Sequence, residues 1–350
     1  MLESSPTSMR SLYRPRRILV TGATGTVGRA LWPSLLGFQT AIRVLEHESR
    51  ATRAAASVGN GVEVVRGDLG RPATLRGVAE GCDVVVHAAA RTGFARLARD
   101  AQRRVNVAGT EALLGEAQSA GVRVFVLLGY TGTVQERSDR GRPVDEETPP
   151  EGRYESPYVR MKFESEALVL ERNRSGGMTT MVVSPGVLAQ PGASTILGGF
   201  VRAFLKRELP FRLLSDVWVA PTDGSDVGRC LASAIERGRG GRRYFVTGDS
   251  IRLGEVYEIL TELSGVPAPR RRLPDLLVEE LGLLTPVLPR HSFLRQLVLP
   301  RELVLHLKRL APVDNTRTRT ELDFSPVPLR STLAAMIEED SARVSRRASI

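Results

Sequence analysis

Cysteine is scarce: Cys82 and Cys230 are the only two in 350 residues. Two thiols far from any CxxC spacing cannot build a disulfide framework, so both are read as buried and the compartment as reducing. Lysine is almost as rare, with Lys162, Lys206 and Lys308 against a large excess of arginine spread along the whole chain. Aromatic residues make up only 5%. A net charge of +10 without one basic face or stacking aromatics argues against a nucleic-acid partner. No apolar run approaches the roughly 20 residues of a membrane-spanning helix. The opening MLESSPTSMR also lacks the basic-then-apolar pattern of a secretory signal. The expectation is therefore no integral membrane segment and a cytoplasmic location.

What is present is ordinary globular composition, 42% hydrophobic and 25% charged. Short β-branched runs, RILVT (17–21), AIRVL (41–45), VEVVR (62–66), VVVHA (84–88), VFVLL (124–128) and TTMVV (179–183), are apolar throughout, as strands covered on both faces are. Helical patterns fall between them at 25–36, 72–79, 101–120 and 158–172. This alternation predicts an α/β fold, a doubly wound parallel sheet of the Rossmann type, with a smaller C-terminal substrate lobe. We divide the chain into a disordered tail (1–16), a dinucleotide-binding domain (17–185, joined again by 226–248), a substrate lobe (186–225 and 249–338) and a polar tail (339–350). Helices are expected at 226–236 and 253–263 and a strand in RRYFVTG (242–248). The leucine-rich, proline-broken stretch 273–310 predicts short helices presenting an apolar surface.

The first strand runs into Gly22-Ala23-Thr24-Gly25-Thr26-Val27-Gly28, followed at once by a helical pattern. Glycines there permit a tight turn and close approach of a pyrophosphate, whose charge the helix N-terminus favours. Glu46, just past the second strand, is placed to bind both hydroxyls of an adenosine ribose and to repel a 2′-phosphate. NAD is favoured over NADP, although Arg43 and His47 leave NADP open. Asp68 and Leu69 follow the third strand near the expected adenine edge, and Ala88, Ala89 and Ala90 form a small-residue wall after the fourth. Tyr158 and Lys162 lie four apart, hence on one helix face. An ammonium there is expected to lower the tyrosine pKa toward neutrality.

These motifs, TGATGTVG, RGDL, HAAA (87–90), VNVAGT (105–110) and YVRMK (158–162), resemble the extended short-chain dehydrogenase/reductase family, also described as NAD-dependent epimerase/dehydratase proteins. The resemblance covers about residues 17–335 and is most similar to the dihydroflavonol-reductase, 3β-hydroxysteroid-dehydrogenase and hopanoid-associated epimerase branches. It implies Tyr158 as general acid/base, Lys162 as its electrostatic partner and a ribose ligand, Thr131 as the hydroxyl that polarises the substrate with Thr133 as fallback, Pro185 beside the cofactor, and Asn106 in a helix-positioning role. His87 is expected to pack beside the cofactor rather than transfer protons, and His291 and His306 lie in the apolar lobe without a metal-ligand partner pattern. No metal is expected.

Within that family, dehydratases carry acidic residues after the catalytic threonine, where Gly132 and Thr133 stand here. Epimerases show an asparagine near the end of the sixth strand, where Val183-Ser184-Pro185-Gly186 stands. The expectation is an NAD(H)-dependent oxidoreductase interconverting a ketone and a secondary alcohol on a cyclic, lipophilic small molecule, in secondary metabolism. A nucleotide-sugar epimerase is the alternative, and a non-catalytic NAD-binding sensor is the alternative from another class. The resemblance also leaves a homodimer open.

Overall fold

A computed structural model describes residues 13–47, 62–93, 99–173, 177–192, 195–284 and 298–348. Seven parallel strands form one sheet in the order β10-β6-β5-β4-β1-β2-β3. They are β1 (Arg17–Thr21), β2 (Ala41–Glu46), β3 (Val62–Arg66), β4 (Val84–His87), β5 (Val124–Leu128), β6 (Thr179–Pro185) and β10 (Arg243–Val246). Two small pairs lie outside this sheet: β7 (Val187–Ala189) runs parallel to β9 (Pro221–Asp223), and β8 (Trp218–Val219) antiparallel to β11 (Ile251–Arg252).

The strands are continuous apolar runs because helices cover both faces. Ile18 and Val20 of β1 pack with Val84, Val86, Val126 and Leu31 on one face. Leu19, one residue out of phase, packs with Val85, Phe125 and Leu113 on the other. Thr26–Leu36 and Gly224–Arg237 supply the first layer, Gly109–Ser119 and Pro157–Arg172 the second. β3 departs from the expected double coverage: at the sheet edge its Glu63 and Arg66 are exposed, and Glu63 pairs with Arg43 at 2.9 Å. β1 pairs with both β2 and β4, so the chain order reverses there. A crevice opens at the carboxyl ends of strands at such a reversal.

A third apolar cluster gathers Leu197, Val201, Phe204, Val217, Tyr257, Leu303 and Leu307. It joins helices Ile196–Leu205, Leu253–Ser264, Asp275–Leu281 and Arg301–Lys308. Residues 285–297, which interrupt the predicted 273–310 surface, lie outside the described residues, as does His291.

Several boundaries differ from the sequence reading. The stretch 72–79 forms only a 3₁₀ turn, Pro72–Leu75, because Gly77 at φ +75° turns the chain away. The 101–120 pattern is an α-helix at Arg99–Arg103, a π-helical turn at Arg104–Ala108 and an α-helix from Gly109. The tails are also shorter than expected. The Tyr13 ring lies under the Arg123 guanidinium at 4.6 Å, and Arg16 donates its backbone N–H to Asp83 at 2.7 Å. At the other end, helix Leu329–Ala348 runs through most of the presumed polar tail.

Candidate active site

Gly22 opens the turn after β1 at φ +73°, a conformation that favours glycine. A Cβ there would lie 2.6 Å from the Ala89 amide nitrogen, so the chains leaving β1 and β4 touch only because residue 22 has no side chain. A Cβ on Gly28 would overlap the carbonyl oxygen of Gly22. No side chain caps the helix that begins at Thr26, which leaves its first amides to face the cleft.

That cleft has a volume of about 1160 Å³. The structure brings to its walls Gly22, Thr24, Gly25, Thr26, Val27 and Gly28 from the turn, Glu46 from β2, Asp68 and Leu69 after β3, Ala88, Ala89 and Ala90 after β4, and Pro185 from β6. Tyr158 and Lys162 line the same cleft. Asp68 pairs with His47 at 3.3 Å and with Arg71 at 3.6 Å, which fixes the carboxylate at the cleft margin. A bare turn, an uncapped helix start and a carboxylate at the end of the second strand together fit a dinucleotide. Val187, Leu188, Ile196, Leu303 and Leu307 add an apolar wall.

Helix Pro157–Arg172 begins with proline at its first position, where the fixed φ suits a helix start. Tyr158, Lys162 and Glu166 follow at intervals of four. Lys162 Nζ donates to the Leu128 carbonyl at 2.5 Å, and burial draws its pKa down to about 8 against the opposing pull of Glu166. Glu166 is fully buried and its pKa is raised by burial. It accepts from the Tyr130 N–H at 2.9 Å and the Thr133 hydroxyl at 2.9 Å, with Arg243 at 3.3 Å. The expected lowering of Tyr158 is not found. Burial, followed by the Glu166 carboxylate, pushes its pKa up to about 12.

Thr131 also departs from its expected place. It precedes the short helix Gly132–Gln135, and its fully buried hydroxyl donates to Gln135 Oε1 at 2.6 Å, away from the cleft wall. Thr133 is likewise interior, its one hydroxyl hydrogen shared between Glu166 and the Tyr130 carbonyl, 2.8 Å away. Of the hydroxyl residues in this segment it is Tyr130 that lines the cleft. Sequence reasoning gave Tyr130 and Glu136 no role and read His306, their partner, only as a histidine that ligates no metal. The available signal was an aromatic residue where a small hydroxyl is usual, but His306 lies 176 residues away.

His87 is buried between Thr21 at 2.7 Å and Thr110 at 2.9 Å. Burial, aided by Lys162, lowers its pKa to about 3, so it is neutral and structural. The Asn106 side chain accepts from the Arg91 N–H at 2.7 Å and donates to the Arg91 carbonyl at 3.0 Å, clamping the loop after β4. Cys82 and Cys230 are buried free thiols. Among the described residues no cluster of three metal-ligating side chains occurs and no helix is long and apolar enough to cross a membrane.

Comparison with known proteins agrees with this geometry. The family described as NAD dependent epimerase/dehydratase matches residues 18–247. Sterol demethylase protein B of Methylococcus capsulatus is 32% identical over 335 residues, covering 90% of this chain and 95% of that protein. The 4-hydroxy-2-methyl-3-oxo-4-farnesyl-3,4-dihydroquinoline-1-oxide ketoreductase of Stigmatella aurantiaca is 33% identical over 276 residues, 74% of this chain and 76% of that one. Among solved structures, the UDP-glucose 4-epimerase of Thermotoga maritima superposes with a TM-score of 0.74 at 17% identity, covering 94% and 99% of the two chains. At that identity the likeness is one of fold.

Proposed function

Since the chain belongs to the NAD-dependent epimerase/dehydratase family, we propose that it is an NAD(H)-dependent oxidoreductase that interconverts a ketone and a secondary alcohol on a cyclic, lipophilic metabolite. The observation that carries this reading is the meeting of Tyr158 and Lys162 with the glycine turn in one cleft that also has an apolar wall. A relative whose name specifies a ketoreductase of a farnesylated ring supports the substrate class.

Bound NAD(H) supplies the hydride donor or acceptor. In the direction of reduction, Tyr158 hands its phenolic proton to the carbonyl oxygen as the carbon is reduced; in oxidation it takes that proton back. A phenol held at about 12 is protonated at neutral pH, the form reduction requires. Lys162 keeps a positive charge one helical turn away, where it lowers the cost of negative charge on either oxygen. Burying an apolar ring against Val187, Leu188, Ile196, Leu303 and Leu307 contributes roughly 25 cal/mol per Å² and excludes water from the transfer.

Glu46 at the end of β2 supports NAD over NADP. The decisive experiment incubates the purified chain with NADH and a panel of aromatic, steroid-like and sugar substrates, following both NADH loss and product. Stoichiometric NADH consumption with a ketone is the expected result. Epimerised UDP-glucose without net NADH change would overturn it in favour of a sugar epimerase, and binding of NADH without turnover of any substrate would leave a sensor.

A further inference from the structure

Glu166 carries a carboxyl group into the interior, and no step of the proposed reaction passes through it. It lies one helical turn beyond Lys162 and is fully buried, and its partner Arg243, from the edge strand β10, has a side chain only 13% exposed. The Arg243 guanidinium meets Oε2 at 3.3 Å, where the Thr133 hydroxyl also reaches it at 2.9 Å, and the Tyr130 N–H meets Oε1 at 2.9 Å. A Cβ on Gly129 would lie 2.8 Å from Oε1, so the bare backbone there makes room for the carboxylate.

The arrangement calls for an ionised group. The Tyr130 N–H and Arg243 can only donate, they meet different oxygens, and a guanidinium keeps its charge. One anion thereby links three parts of the frame: β10 through Arg243, the segment after β5 through Tyr130 and Thr133, and the helix of Tyr158 that bears it. Lys162 on the same helix binds the Leu128 carbonyl at 2.5 Å, two residues before Tyr130. The other titratable groups around the pair bring no charge. His87 is neutral, with its pKa lowered to about 3, and burial holds Tyr130, Tyr154 and Tyr158 in the phenol form. Among the described residues, the negative charge that favours the ammonium of Lys162 is that of Glu166.

We propose that Glu166, with Arg243 as its counter-ion, is a positioning residue: it fixes the Leu128–Thr133 segment at the cleft and holds Lys162 cationic on the helix of Tyr158. This rests on the ketone–alcohol reading of the cleft. Glu166 is buried behind the cleft wall, where it moves no proton of the reaction. It acts through Lys162, whose positive charge eases the build-up of negative charge as Tyr158 gives up its proton. A carboxylate in a poorly solvated interior acts strongly across one helical turn, so a single residue suffices for this.

The test changes charge and keeps shape. Glu166→Gln can still accept the Tyr130 N–H, but it presents no charge to Lys162. The only lysines are Lys162, Lys206 and Lys308, so NMR of the Nζ nitrogens in the full chain carrying isotope-labelled lysine follows each one, with Lys162→Arg giving the assignment. The Lys162 midpoint, about 8 in the wild type, is expected to fall by about one pH unit in Glu166→Gln. The alkaline limb of kcat/KM for ketone reduction by NADH should fall with it. A merely structural carboxylate would lower Tm and kcat together and shift neither midpoint nor limb. An unmoved midpoint in the folded variant overturns the proposal, and so does a limb that stays in place while the midpoint moves. Where the single variant does not fold, Glu166→Gln combined with Arg243→Gln strands no cation, and a fall of the same sign is expected there. Should the wild type reduce no ketone, the redox reading fails on that result, and the Nζ titration still decides the Glu166 assignment.

Discussion

The ammonium of Lys162 is bonded to the carbonyl of Leu128, the last residue of β5. The side chain thus ties the helix that carries Tyr158 to the strand that ends at the cleft. Its charge is held by the strand terminus and favoured by Glu166 one turn further along the helix.

Tyr158 and Thr131 should separate cleanly under mutation. Tyr158→Phe removes the proton donor and is expected to lower kcat by about 10²–10⁴-fold with little change in Tm. Thr131→Val leaves Gln135 Oε1 without its buried donor, so it should cost about 1–3 kcal/mol of stability and leave kcat within about twofold. Steady-state kinetics beside thermal melts check both; a large kcat loss in Thr131→Val with unchanged Tm would return that residue to the reaction.

Lys162 makes stability depend on pH. Its folded pKa of about 8 lies below the unfolded value of 10.5, so between these values the unfolded chain binds more protons and stability rises with pH. The stability is present above 10.5 and lost as pH falls through 8. Full passage through that window corresponds to about 3 kcal/mol. The difference in unfolding free energy between the wild type and Lys162→Met, measured in urea from pH 7 to 9.5, should grow in favour of the wild type as pH rises. A flat difference would contradict the burial of a charged ammonium.

Gly28→Ala is expected to weaken the nucleotide turn itself, because the new methyl overlaps the Gly22 carbonyl oxygen and that neighbour is backbone. A loss of about 1–3 kcal/mol in stability and of at least tenfold in NADH affinity should follow. Fluorescence titration with NADH measures the second effect, and unchanged affinity would show that the turn is not the pyrophosphate site.

Glu46→Ser should raise the NADPH/NADH ratio of kcat/KM by at least about tenfold, since a carboxylate facing a 2′-phosphate costs at least 1.4 kcal/mol of discrimination. Parallel kinetics with the two cofactors provide the check. A ratio that does not move would place cofactor choice elsewhere along the cleft margin.

The sheet was legible in the sequence because every central strand is buried on both faces, and residues such as Ile18, Leu19 and Val20 had to be apolar without alternation. The glycine turn was legible for the same kind of reason: Gly22 and Gly28 stand where backbone meets backbone, and no other residue fits. Thr131 and Tyr130 were not. Which of two adjacent residues faces the cleft depends on the rotation of the single turn after β5, and that rotation is set by partners distant in sequence, Glu166 and His306. The Tyr158 pKa departs from expectation because spacing places an ammonium nearby without revealing how deeply the phenol is buried or that Glu166 lies close to it.

Helix Arg301–Lys308, which contributes Leu303 and Leu307 to the apolar wall, is followed by a stitched seam. The Arg137 N–H bonds to the Arg309 carbonyl at 2.9 Å, the Ala311 N–H to the Gln135 carbonyl at 2.9 Å, and the Gln135 amide to the Ala311 carbonyl at 2.8 Å. With its C-terminal end sewn to the sheet side, this helix moves with the catalytic frame. The apolar wall made by Leu303 and Leu307 is thereby anchored to the segment that follows β5, so a break in this seam would disturb the ring-binding wall and the turn after β5 together.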